Sequence, residues 1–141
     1  MTLEASAGRR TDWWNIGLWV AQVLLAIMYL MAGGMKLSQP MAGLAAMGMG
    51  YATALPEPFV RFVGLMEVLG ATGLILPSAT RILPWLTPLA AVGLSVVQVS
   101  AIILHASRGE TAMTLPLNLV LLGLALFVVW GRSRKAVISP R

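Results

Sequence analysis

The chain has 141 residues and a formal net charge of +5, and 58% of its residues are hydrophobic while 11% are charged, giving a mean hydropathy of +0.83. A soluble domain needs about a quarter of its residues charged to keep its surface wet, so this composition excludes a water-soluble globular protein and requires lipid against much of the surface. With no cysteine and a single histidine, His105, the chain cannot build a disulfide framework, a Cys-ligated zinc or iron–sulfur site, a covalent haem link, or a metal site needing two imidazoles of its own.

Residues 1–13 read as a tail carrying Arg9 and Arg10. Four long apolar stretches follow, roughly Trp14–Met35, Phe59–Leu76, Ile82–Leu104 and Leu115–Gly131. At 1.5 Å per residue each can cross a hydrocarbon core of about 30 Å, and none alternates in polarity as a barrel strand does. The expected fold is therefore all-α: a four-helix integral membrane bundle over residues 14–131, ending in a basic tail at 132–141. The first span is too long for a signal peptide and lacks a small-residue cleavage site, so it is read as a helix of the mature protein. Between the first two spans, the nearly uncharged segment Leu37–Leu55 reads as an interfacial or re-entrant cap. Pro56 and Pro58 precede the second helix. Pro77, Pro84 and Pro88 bracket a turn and the start of the third, and Pro116 suits the first turn of the fourth.

Orientation follows from the basic residues. Arg9, Arg10, Arg81, Arg132, Arg134, Lys135 and Arg141 fall on one side, and Lys36, Arg61 and Arg108 on the other, which predicts cytoplasmic termini. Trp13, Trp14, Trp85 and Trp130 mark the same cytoplasmic boundary as an aromatic belt. The expected location is a bacterial-type inner (plasma) membrane. The basicity is thus topological; no long basic run suggests nucleic acid.

Each span carries a seam of small and polar residues at helical spacing. The seams are Asn15, Trp19, Gln22, Ala26, Tyr29, Gly33 and Lys36; Gly64, Glu67, Ala71 and Leu74; Ala91, Ser95, Gln98, Ala101 and His105; and Asn118, Leu122 and Ala125. Facing one another, they would form the inside of the bundle. Lys36, His105 and Asn118 then share the outer level, while Tyr29, Glu67 and Gln98 lie roughly 10–12 Å deeper. This predicts an outer-leaflet polar pocket above an inner half that, apart from Gln22 and Asn15, reads as plain packing.

Glu67 carries the strongest expectation, because an ionisable group in hydrocarbon is expensive unless it is protonated, paired or hydrated. It is either a proton-binding or ligand-anchoring carboxylate, or a structural partner of Lys36, Tyr29 or Gln98. Lys36 either pairs with it, binds an anionic head group or snorkels to the interface. His105 either shuttles protons and bonds a ligand carbonyl, or simply ends a helix beside Arg108 and Glu110. Arg61, four residues after Glu57, forms an exposed pair of small value. The irregularly spaced methionines read as adaptable packing, and Gly70, Ala71 and Gly73 as a close helix contact. No catalytic motif, phosphate loop or metal motif is present.

Taken in order, several segments resemble the DoxX-like family of small four-helix membrane proteins. They are Ala32 to Leu37, Gly64 to Ala71, Gly73 to Pro77, Leu86 to Ala91, His105 with Arg108, Gly109 and Glu110, then Asn118, and finally Gly131 with Arg132. The resemblance implies an accessory subunit near the quinone pool, since the family takes its name from a subunit of a quinone-linked oxidising system. It implies a quinone as the lipid-like ligand and a redox-complex protein as partner; membrane lipid and a second copy of the chain are the other partners expected. Lys36, Glu67, His105 and Asn118 match the family's polar pattern, whereas a dithiol mechanism has no residues here. Two other functions fit the same spans: a proton-dependent transporter gated by Glu67, and a non-catalytic membrane scaffold.

Overall fold

The architecture is described by a computed structural model covering residues 12–141. It is all-helical, with no strand among the described residues. Helix α1 spans Trp13–Ser38, α2 Met41–Ala46, α3 Glu57–Thr80, α4 Leu86–Ser107 and α5 Thr111–Trp130, with a 3₁₀ turn at Gly50–Thr53 and a wide π turn at Gly131–Lys135. The four long helices are apolar enough to cross a membrane. Each packs against two neighbours in the cyclic order α1, α3, α4, α5, so both ends of the described chain lie at the same end of the bundle. Arg9 and Arg10 lie outside the described residues.

Local chemistry sets the helix ends. The Asp12 carboxylate accepts from the Asn15 amide at 3.1 Å and caps α1. At the other end Pro40 forces Gln39 into an extended conformation, φ −91° and ψ 147°, which no helix can continue. The carbonyls left over at that end, Lys36 O and Gln39 O, accept from Arg61 Nη1 at 2.8 and 2.7 Å. Arg61 also makes the expected pair with Glu57, at 3.0 Å.

Pro77 does not end α3 as its residue type suggests. The helix continues to Thr80 and stops at Arg81, which is left-handed with φ 59°. The proline has no N–H for Gly73 O, and that carbonyl instead accepts from the Thr87 hydroxyl at 3.1 Å. A neighbouring helix thereby supplies the lost bond, which is the condition for a proline inside a membrane helix. In consequence α4 begins at Leu86 rather than Ile82. Helix α5 begins at Thr111, so Pro116 falls in its second turn rather than its first.

Hydrophobic burial drives little association where lipid is as apolar as leucine, so close backbone approach matters more. Gly33 faces Gly64: a Cβ at Gly33 would sit 2.6 Å from Gly64 O, and one at Gly64 would sit 2.7 Å from Lys36 Cβ. Gly70 lies against Leu94, and Gly73 against Ala90, the close contact expected of that run. The central core holds Leu18, Leu25, Leu74, Leu94, Ala125 and Val128. A smaller cluster, Leu44, Ala52 and Val60, seats the segment after α1 over the Lys36 end of the bundle, as its composition predicts. Val20, Ile27, Leu65, Leu69, Val96 and Leu119 face outward, toward lipid.

Candidate functional site

The Lys36 end holds a groove between α3 and α4 with a volume of about 540 Å³. Phe59, Phe62, Val63, Met66, Val96 and Val97 form apolar walls, while Lys36, Glu67, Tyr51 and His105 supply the polar lining. Lys36 Nζ donates to both carboxylate oxygens of Glu67 at 2.8 Å, with the two side chains 7% and 6% exposed. The pair joins α1 to α3 where Gly33 and Gly64 bring them together, and it satisfies two charges that neither helix could bury alone.

Tyr51 comes from the 3₁₀ turn. Its ring lies 5.9 Å from Lys36 Nζ and edge-on to His105 at 5.8 Å. Burial pushes the Tyr51 phenol above its usual range, against the pull of the Lys36 ammonium, so at neutral pH it is a hydroxyl able to donate. No periodicity argument reaches Tyr51, which stands in an irregular connection. Its only sequence signal is that it is an aromatic with a polar tip in an otherwise small and apolar segment.

His105 lies in the last turn of α4, beside Arg108 and Glu110. Its Nδ1 is 2.8 Å from Glu110 Oε2, and Arg108 Nε donates to Glu110 Oε1 at 3.1 Å. The His105 hydrogen bond, followed by the one from Arg108, holds the Glu110 carboxyl below its ordinary value. With that carboxylate ionised, Nδ1 carries the bonded proton, and Nε2 is the nitrogen available to a ligand.

The remaining predicted residues form a separate chain inside the bundle. Tyr29 Oη donates to Gln98 Oε1 at 2.8 Å, and Gln98 Nε2 donates to Asn118 Oδ1 at 2.7 Å. Asn118 Nδ2 is buried without a partner among the described residues. This corrects the expected two levels: Asn118 bonds a residue of the deeper level, because the early start of α5 carries it two turns into the helix. Lys36 pairs with Glu67, one of the partners expected for it, its long side chain spanning the gap between the two levels.

A second correction concerns the opposite end. Arg132, expected in a basic tail, is 3% exposed. Its Nε donates to Gln22 Oε1 at 2.6 Å and its Nη1 to Asn15 Oδ1 at 2.7 Å. Gln22 Nε2 in turn donates to Leu74 O at 2.5 Å and Ser78 Oγ at 3.3 Å, and Ser78 and Thr87 share a 2.7 Å bond. This half of the bundle is therefore a polar network joining α1, α3, α4 and the turn after α5, not plain packing. The signal lay in spacing: Asn118, Ala125 and Arg132 recur every seven residues on one face.

Comparison with known proteins places a family model described as the DoxX-like family over residues 20–128. No curated protein and no solved structure matches the chain.

Proposed function

The chain belongs to the DoxX-like family, and from that premise we propose that it is a multi-pass membrane protein whose groove binds a lipid-like quinone for a membrane redox complex. The observation that carries this reading is the groove itself. Its volume of about 540 Å³ falls within the range of small-molecule sites, and it combines apolar walls with few convergent polar groups, as such sites do. A quinone offers two carbonyl acceptors on a flat apolar ring. Tyr51 Oη is a donor of matching kind, and the Lys36 ammonium beside it adds positive charge. Phe59, Phe62 and Met66 suit an apolar tail that enters sideways from the bilayer. When bound, the quinone would supply the electron-carrying group. The chain's own residues would hold it, orient its carbonyls and, at Tyr51, offer a hydrogen bond to one of them. The redox role is argued by family analogy alone, since the residues by themselves suggest a ligand rather than a reaction.

The test is to purify the protein in mild detergent and measure bound quinone by solvent extraction and native mass spectrometry. Wild type should retain quinone, and Glu67→Gln, which leaves Lys36 without its counter-charge in the groove wall, should lower retention by about tenfold, the worth of one charge-assisted hydrogen bond. Quinone absent from both proteins, or equal in both, would sink the reading.

A further inference from the structure

Arg132 lies at the end of the bundle remote from the groove and lines no part of it. Each partner of its guanidinium is neutral: Gln22 Oε1, Asn15 Oδ1, Ala136 O at 3.0 Å, and the ring of Trp19 at 5.5 Å. Among the described residues no carboxylate forms an ion pair with it, and its Nη2 is buried without a partner. Asp12 caps α1 instead. A guanidinium keeps its charge at any pH a protein meets, so this group cannot escape the cost of burial by losing a proton. Asp12 is near enough to act on it electrostatically, but no carboxylate of the described residues is in direct contact with the guanidinium.

Beside it is a cavity of about 340 Å³ that Arg132 lines together with Pro84, Trp85, Ser133, Val137 and Ile138. The chain segment forming the far wall is held in place. Arg81 Nε donates to Ser139 O at 2.8 Å, and the Arg141 amide donates to Arg81 O at 2.9 Å. Exposed Trp13, Trp14, Trp85 and Trp130 share this end and mark the level of lipid head groups. Lys135, 5.4 Å from the Trp14 ring, adds positive charge there.

We propose that this cavity is a phosphate site occupied by the head group of an anionic phospholipid, with Arg132 as counter-ion. With Nε and Nη1 engaged, the two N–H groups of Nη2 are the donors left for phosphate oxygens. The largely apolar walls favour a lipid phosphate, whose glycerol and upper acyl chain can lie against Trp85 and Val137, over a free ion that needs polar contacts all round.

The test uses full-length protein in detergent with dioleoyl phosphatidylglycerol, dioleoyl phosphatidylcholine or inorganic phosphate, read by native mass spectrometry and by melting temperature. Phosphatidylglycerol should remain as a one-to-one adduct, about tenfold more retained than phosphatidylcholine, and should raise the melting temperature. Arg132→Lys should weaken this preference. Because Arg132 also ties the helices together, Val137→Trp serves as a second variant that fills the cavity without touching the network. It should melt like wild type without lipid yet lose the adduct. Equal retention of the two lipids, or undiminished adducts in both variants, overturns the proposal. Inorganic phosphate alone protecting the protein and displacing the lipid overturns the lipid assignment.

Discussion

At the scale of single residues, the Lys36 and Glu67 pair decides how function and stability can be separated. Both oxygens of Glu67 lie 2.8 Å from Nζ, in a setting where each charge alone would be stranded. Removing one partner of a buried pair costs about 3–5 kcal/mol, whereas replacing both with apolar residues of similar volume is often nearly neutral. Lys36→Met and Glu67→Leu singly should therefore lower the melting temperature in detergent sharply, and the double variant should recover most of the loss. The double variant should still retain less quinone than wild type. If instead it stays as unstable as the single variants, the pair is not an isolated charge couple and its contribution lies in shape. Glu67, Lys36, Tyr29 and Gln98 were legible from sequence because a polar side chain in an apolar helix has few places to go. Tyr51 and Arg132 were not. Tyr51 reaches the groove only through the folding of an irregular connection, and Arg132 reads in sequence as one more topological charge at the end of a span.

At the scale of elements, contact between α1 and α3 is set by glycine. The two helices approach closely enough at Gly33 and Gly64 that a methyl group on Gly33 would meet Gly64 O at 2.6 Å and Glu67 Cβ at 3.0 Å. Backbone cannot give way as a flexible side chain can, so Gly33→Ala should force the helices apart, costing about 1–3 kcal/mol and pulling Lys36 from Glu67. Its neighbour is the control: a methyl on Gly34 meets nothing within 4 Å, so Gly34→Ala should melt like wild type or slightly higher. Equal effects from the two would show that helix propensity, not the interface, governs the site. The boundaries of these elements were the less legible part. Pro77 reads locally as a stop, and only the Thr87 hydroxyl on the next helix, donating to Gly73 O, allows α3 to pass through it. Likewise Pro116 concealed the early start of α5, and with it the depth of Asn118.

At the scale of the whole molecule, the bundle has two unlike ends. One carries Lys36, Arg61 and Arg108, the groove and the packed cap of α2. The other carries Arg81, Arg132, Arg134, Lys135 and Arg141 with the exposed tryptophans. The count of basic residues argues that the second end faces the cytoplasm, which would open the groove to the outer leaflet and place the Arg132 cavity among inner-leaflet lipids. The chain contains no cysteine, so single replacements of exposed serines report orientation without background. Ser38→Cys and Ser107→Cys, at the groove end, should react in intact cells with a maleimide that cannot cross the membrane. Ser133→Cys and Ser139→Cys should react only after the cells are opened. The reverse pattern would turn the groove toward the cytoplasm, so that any partner delivering electrons to its ligand would have to dock from the inside. It would also mean that Arg132, buried and already engaged by Asn15 and Gln22, does not act as a topological charge, since a guanidinium built into the helix packing is held by the fold on whichever side the chain inserts.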